Sequence, residues 1–449
     1  MNYANDKRKQ ADKEKRLKER RKHELSRRTR NKRGIYGQFD WVTFGIFVLL
    51  LLISLFLMST ASSSAMEGRP HYYLFRHFFM MCVGMGGFIF VTLFDYRLYR
   101  DWARQAYIAV CVVLVITMIF GTGDGANRWI FGVQPSEFAK IAMIILFASF
   151  LDENRRQLKD GRFVLKSMVY MAIPTGLIFL EPDLGTSLVF IVIMLVMLYV
   201  AGANRRVFGL VVGFILGMVI LIFVTLFFYT DGFNHVLEDN IPWLPLKSYQ
   251  LMRLAIFINP EMDASNTGYH IIQSKIAVGS GGLFGKGYGH GTQVQGNFLP
   301  EHHTDFIFAV LSEEFGFFIT AGVLAVYMIL LLRLAKKAFY ARDFYGTLIV
   351  TGISAMFLFQ IFENIGMATG IMPVTGLPLP FFSYGGTSMI TNMIAVGLVF
   401  SVSLRGKEVP SDKLLHFGRG KKDRPAKERK EKKTTRRESS RSKRRRAAM

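Results

Sequence analysis

The sequence predicts an all-α integral membrane protein of about ten transmembrane helices, with a large extracellular loop between helices 7 and 8. Three observations carry this. The 449-residue chain is 51% hydrophobic, with 41 Phe and 22 Met. Its apolar residues gather into ten runs near the length that crosses a bilayer core, about 20 residues at about 1.5 Å each. Its net charge of +23 lies wholly in the two ends. Residues 1–39 carry 15 Lys/Arg against 5 Asp/Glu, residues 404–449 carry 19 against 6, and the middle is balanced at 22 and 22.

The ends, 1–39 and 406–449, are expected to be basic, disordered cytoplasmic tails, because they lack the apolar content that offsets the entropy of ordering. Their densest stretches, Lys13–Lys22 and Lys427–Arg446, contain no aromatic residue to stack bases, which argues against nucleic acid. Anionic membrane lipids are the expected partner, at about 1 kcal/mol per basic residue near the surface.

Between the tails lies a polytopic domain, 40–405. The first run, 40–59, resembles a secretory h-region over Trp41–Met58, with small residues at Ser62–Ala65. Its basic leader is too long for a signal peptide, so an uncleaved first helix is expected. The remaining runs are 73–93, 103–121, 136–151, 166–180, 184–201, 207–229, 306–332, 346–366 and 386–404, the fourth and fifth being short. Cys82 and Cys111 fall inside two of them, which excludes a disulfide framework and a CxxC metal pair. With the N-terminus inside, the short inner loops 94–104, 152–166, 202–206 and 333–345 hold 3, 5, 2 and 4 basic residues, and the matching outer loops hold 1, 1, 0 and 0. An even helix count then returns the basic C-terminus to the cytoplasm.

The exception in length is the outer loop 230–304. Loops this long are functional or disordered. This one contains two amphipathic stretches able to lie at the membrane surface, Tyr249–Ile258 and Tyr269–Val278, and a glycine run, Gly279–Gly291. The run fails both phosphate-loop patterns: Ser280 and Gly287 break a Walker A motif, and Phe284 and His290 break GxGxxG. It is either a structural turn or a nest of N–H groups facing an anion.

Candidate chemistry begins directly after it, in FLPEHHTDFIFAVLSEEFGF (298–317). Asp305 falls near the start of the eighth helix, either as an N-cap or as a functional acid, and Thr304 is available to cap in its place. Glu301, His302 and His303 crowd the same surface. A zinc site from the two histidines and Asp305 lacks an evident further ligand. Glu313 and Glu314 follow about 12 Å deeper, where carboxylates face a cavity or a partner. A second set occupies other outer loops: Arg128 in GANRW, Glu137 and Lys140 in GVQPSEFAK, Glu181 and Asp183 in EPDLGTS. Glu137 and Lys140 share a helix face and can form a structural pair. The late segment PVTGLPLPFFSYGGTS (373–388) is a re-entrant loop candidate, tolerated at depth only under protein or water.

Taken in order, GVQPSEFAK, EPDLGTS, GYHIIQSKIAVGSGGLFGKG, NFLPEHHTDFIFAVLSEEFGF and PVTGLPLPFFSYGGTS resemble the SEDS family (shape, elongation, division and sporulation) over about residues 40–405, and within it the rod-shape members more than the division members. The resemblance implies a peptidoglycan glycosyltransferase of the bacterial cytoplasmic membrane that polymerises lipid II into glycan strands at its outer face during cell elongation. It implies a class B penicillin-binding protein, a transpeptidase, as partner. It makes Asp305 the catalytic residue, and Glu137 and Lys140 a functional buried pair. Arg128, Glu137, Lys140, Asp183, Lys275, Glu301, His303 and Ser383, all in or beside these motifs, are the substrate-binding candidates. The donor arrives activated as a prenyl pyrophosphate, so no nucleotide is expected. One base suffices, with leaving-group charge met by Arg128, Lys140 or a divalent cation, Mg or Mn, held partly by Asp305. A lipid II flippase and a non-enzymatic scaffold of the wall machinery are the alternatives. The first would call for a midplane site and internal repeats, the second for a dispensable Asp305.

Overall fold

The computed structural model describes residues 39–65, 71–122, 128–181, 183–229, 248–263 and 267–406. The expected disordered tails lie outside the described residues. Ten helices of 18 residues or more are present among the described residues, one for each apolar run: α1 (Trp41–Ala65), α2 (Tyr72–Leu93), α3 (Ala103–Phe120), α4 (Pro135–Glu153), α5 (Gly161–Leu180), α6 (Leu184–Ala201) and α7 (Arg205–Tyr229), then, after the short α8 (Ser248–Ile258) and α9 (Thr267–Ser280), α10 (Ile307–Phe339), α11 (Phe344–Thr369) and α12 (Gly386–Leu404). Nine are long and apolar enough to cross a membrane. The tenth, α4, carries Glu137, Lys140, Asp152 and Glu153 in its 19 residues and packs against α3, α6, α11 and α12. The protein is an all-helical membrane protein. The runs that read as short, α4 and α5, reach 19 and 20 residues: α4 adds Pro135 before its run and Asp152 and Glu153 after it, and α5 starts earlier, at Gly161.

Burial grades from the centre outward. α11 and α12 are largely buried, and the apolar window of α7 not at all. Lipid-facing Leu and Phe gain nothing from being buried against other apolar side chains, so close packing rather than hydrophobicity selects the centre. Gly84 and Gly397 show this. A Cβ on Gly397 would lie 2.7 Å from the carbonyl oxygen of Phe88, so α12 and α2 approach backbone to backbone.

Ion pairs close one end of the bundle. Asp40, before α1, pairs with Arg333 and Lys337 near the end of α10 at 2.9 and 2.8 Å, and Arg405, after α12, pairs with Asp95 after α2 at 3.4 Å. The first and last spans therefore begin and end on the same side, as an even count requires. Asp343 caps α11 at this end, accepting from Gly346 N–H at 2.8 Å and from Arg97 at 2.9 Å. These charge-assisted bonds hold its carboxyl below the usual range against the effect of burial.

At the opposite end, α8 and α9 turn apolar residues toward the bundle. Ile256, Ile271 and Ala277 pack with Leu299, Phe306, Ala309, Met367 and Val374 in a second small core that covers the ends of α10 and α11.

α10 is broken at Gly316 (φ +70°). The glycine run fills the break. Lys286 and Gly287 donate their N–H groups to the carbonyls of Glu313 and Glu314 at 3.0 and 2.9 Å, and Phe317 and Phe318 donate to Gly282 and Leu283 at 2.9 and 3.2 Å. A Cβ on Gly285 would come within 2.2 Å of the Glu314 carbonyl, and one on Gly281 within 2.0 Å of that of Ser312, which is why this run is glycine. The amides of the run are spent on a helix rather than on a ligand. The nest does exist a few residues later, and its anion is the protein's own. The buried Glu313 accepts from Lys286 Nζ at 2.6 Å, Thr292 Oγ1 at 3.2 Å and the Gln293 and Val294 N–H groups at 2.9 and 3.3 Å.

Candidate active site

Asp305 occupies the last turn before α10. Thr304 does not cap the helix. Its hydroxyl bonds back to the carbonyl and carboxylate of Glu301 at 3.1 and 2.9 Å, closing a turn in which Glu301 takes the left-handed conformation (φ +50°). Nor does Asp305 cap it, since the N-cap position is Phe306, without a side-chain bond. The carboxylate of Asp305 is free of the structural duty that the sequence offered it.

Other elements hold this turn. Asn364, buried on α11, donates to the Asp305 carbonyl and to the Leu377 carbonyl, both at 2.8 Å. A Cβ on Gly376 (φ +75°) would lie 3.2 Å from Asp305 Oδ2, so the acid rests on the 375–377 loop. The start of α6 rests on the same loop, because Gly185 has room only for hydrogen beside Thr375 and Leu377. Arg253, from α8, donates to the Thr375 carbonyl at 3.3 Å. Glu363, fully buried on α11, accepts from the Thr375 hydroxyl and lies within charge range of Asp305 and Arg253. Arg128 donates to the Glu181 carbonyl at 3.3 Å.

Burial, then the negative charge of Glu301, pushes Asp305 up to about 6 despite the opposing charges of Arg253 and Arg128. Glu181, buried beside Asp183, is pushed up to about 8 against the pull of Arg128. The end of the bundle thus gathers a half-buried acid with raised proton affinity and two guanidinium groups.

Apart from His303, the predicted residues fall into three groups. Arg128, Glu301 and Asp305 converge with Asp183, whose carboxylate is spent capping α6, accepting from Thr186 N–H and Oγ1 at 3.0 and 2.9 Å and from Gln134 at 3.1 Å. Glu137 and Lys140 form a 2.7 Å pair at the start of α4, with Lys140 wholly buried and Glu137 Oε2 without a partner. Two others serve the fold. Ser383 Oγ, buried, accepts from Leu379 N–H at 2.7 Å inside its own loop, and the exposed Lys275 lays its chain along Gly370, the C-cap of α11. His303 packs its ring 4.2 Å from that of Tyr73, and burial, with the charge of His302, pushes it down to about 4, so it is neutral at pH 7. The zinc reading fails on its donors. Both ring nitrogens of His302 face carbonyls, of Leu299 and Ala61, at 2.7 and 3.0 Å, and no group of three metal-ligating side chains converges among the described residues.

Sequence reasoning missed Arg253, Glu363, Asn364 and Thr375. Glu363 and Asn364 did carry a signal, an acid and an amide inside an apolar span, where polar groups are costly unless used. Arg253 was hidden in an amphipathic stretch read as a surface helix.

Comparison with known proteins identifies the family. The FtsW/RodA/SpoVE family, described as cell cycle protein, matches residues 38–408. The chain is 34% identical to the peptidoglycan glycosyltransferase RodA of Treponema pallidum, covering 83% of this chain and 99% of that protein. It is 35% identical to the probable peptidoglycan glycosyltransferase FtsW of Trichlorobacter lovleyi, covering 83% and 95%. A solved structure described as structural coordination of polymerization and crosslinking by a peptidoglycan synthase complex superposes with a TM-score of 0.66 at 27% identity, over 81% of this chain and 97% of that one. The motifs, the helical bundle and these relatives agree: the chain belongs to the SEDS family of FtsW, RodA and SpoVE.

Proposed function

We propose that this protein is a peptidoglycan glycosyltransferase that joins lipid II into glycan strands at the outer face of the cytoplasmic membrane, with Asp305 as the general base. The observation that carries the reading is the half-buried Asp305, free of capping duty, with a proton affinity raised to about 6 beside two arginines. A base poised near neutrality is ionised at working pH yet holds a proton well once it has one. The acceptor 4-hydroxyl attacks the anomeric carbon of the donor sugar. Its proton passes to Asp305, the bond from that carbon to the pyrophosphate oxygen breaks, and undecaprenyl pyrophosphate departs. The developing negative charge needs fixed positive groups, and Arg128 and Arg253 stand where Asp305 feels them.

A resident Mg or Mn ion does not fit the residues present. Among the described residues no group of three carboxylates or histidines converges to share a cation with Asp305, and its charged complements are guanidiniums. No step is assigned to a metal.

Cell elongation is the assigned setting, on the strength of the motifs, since the rod-shape and division relatives match at almost the same identity. A class B penicillin-binding protein is the assigned partner. The similarity to a structure of a synthase complex supports that choice. The basic ends are assigned to the cytoplasmic side, which puts the Asp305 end outside. Purified protein given lipid II and the partner is the test. Asp305→Asn should insert, bind the partner and make no glycan; polymer at the unaltered rate would remove the assignment.

A further inference from the structure

Between α3 and α4 the chain makes a small hairpin. Thr122 and Trp129 exchange backbone bonds at 2.8 and 3.0 Å, and Ile130 and Val133 do so at 2.9 Å each around Phe131 and Gly132, both left-handed at φ +50° and +75°. Two positive φ values mark a type I′ turn, which favours Asn or Gly at both central positions. Phe131 is a costly residue there and is wholly exposed. It contributes nothing to packing, so the strain serves something outside the bundle.

Beneath the hairpin runs an apolar groove of about 320 Å³, lined by Ala109 and Val113 of α3 and by Pro135, Phe138 and Ala142 of α4, and closed above by Val133. Val113, Val133 and Phe138 are each about 40% exposed, which puts its mouth on the outer face of the bundle, toward lipid. Arg128 belongs to the same hairpin as Val133, and its charge is felt at Asp305. One short segment therefore joins a lipid-open apolar groove, a guanidinium and the candidate base.

We propose that the α3–α4 groove holds the first isoprene units of a prenyl pyrophosphate and that Arg128 receives its pyrophosphate, setting the scissile sugar bond against Asp305. This rests on the polymerase reading above and adds where the donor's chain lies. Such a ligand is an apolar chain ending in a dianion, and it needs an apolar channel with a cation at the mouth. A larger groove, about 880 Å³, lies between α6, α10 and α11 and is the rival place for the chain.

Photolabelling in proteoliposomes tests this without turnover. The probe is undecaprenyl pyrophosphate carrying a diazirine on the isoprene unit next to the pyrophosphate, applied to the full-length Asp305→Asn protein. The expected label falls within residues 109–142. It drops at least fivefold in Ala109→Trp, and again in Val113→Trp should the first variant fold poorly. Unlabelled undecaprenyl pyrophosphate should suppress it, and phosphatidylglycerol should not. Label on α6, α10 or α11, label indifferent to a filled groove, or equal suppression by phosphatidylglycerol would overturn the proposal. Glycan synthesis by Asp305→Asn would sink the base assignment alone, because the label map is read independently of catalysis.

Discussion

Asn364 holds the backbone of Asp305: its amide nitrogen, on α11, donates to the Asp305 carbonyl at 2.8 Å and to the Leu377 carbonyl at the same distance. One side chain thus fixes the turn bearing the acid to the loop on which its carboxylate rests. Asn364→Ala leaves two carbonyls without their donor, a loss on the order of 1–3 kcal/mol. The expected result is a fall of about tenfold or more in kcat for glycan synthesis with little change in KM, since the acid is misplaced rather than removed. Wild-type kcat in this variant would show that the turn is held by other means.

The raised proton affinity of Asp305 sets the acid limb of activity. The base must be ionised to act, so rates should fall as pH drops through about 6 rather than through the usual carboxylate range near 4. Arg253→Met removes an opposing charge and should move that limb to higher pH. A limb near 4 in the unaltered protein would contradict the environment described for this acid.

The same shift has a cost in stability. The folded protein binds a proton at Asp305 more tightly than the unfolded chain, so stability contributed here is present at low pH and is lost as pH rises from about 4 through about 6. Asp305→Asn removes a charge that is unfavourable to bury. The variant should melt higher than wild type at pH 7.5, with the gain gone by about pH 4. The gain should be modest, because the carboxylate is partly exposed to solvent. Unfolding curves in detergent at the two pH values are the measurement, and a lower melting temperature at pH 7.5 would argue against a strained acid.

How much of this was legible in the sequence follows from what each feature depends on. The ten helices were readable because lipid demands long apolar runs and internally bonded backbone, a constraint that acts on every residue of a span. Asp305 was singled out by the family motif that contains it, since its own neighbourhood left a capping role and a functional role both open. Arg253 did not, because its position depends on α8 folding back over α10 and α11 through contacts of Ile256 with residues distant in sequence, which no local pattern reveals. Ser383 shows the reverse: its hydroxyl oxygen accepts from Leu379 N–H within its own loop, a role in the fold that the motif alone does not reveal. The glycine run was ambiguous for a related reason: a turn that feeds N–H groups to an anion and one that feeds them to a broken helix have the same composition.

Glu137 and Lys140 are the buried pair whose single mutants should be most damaging. With both side chains out of solvent, removing either leaves a charge without its counterion, at about 3–5 kcal/mol. Glu137→Gln with Lys140→Met removes both charges and keeps the volume, so it should fold better than either single change. If the pair is only structural, the double variant also regains polymerase activity. If Lys140 serves the substrate, fold returns and activity does not. Thermal stability and glycan synthesis measured on the three variants separate these outcomes.

Gly316 offers the sharpest test of how the glycine run and the break in α10 depend on each other. Its φ of +70° disfavours any side chain, and a Cβ there would meet the Gly285 nitrogen at 2.2 Å, backbone that cannot move aside without releasing the bonds from Lys286 and Gly287. Gly316→Ala should therefore lose folded yield outright. Gly322→Ala, six residues on in the regular part of the same helix with nothing within 4 Å of the new Cβ, should be neutral or gain about 0.5–1 kcal/mol. The residues after the run, through Val294 and Leu299, lead directly to the Asp305 turn, so the break also sets where that turn begins. A Gly316→Ala protein that folds, straightens α10 and still polymerises lipid II would mean that the acid finds its place without the clasp, and the coupling between the two loops would have to be abandoned.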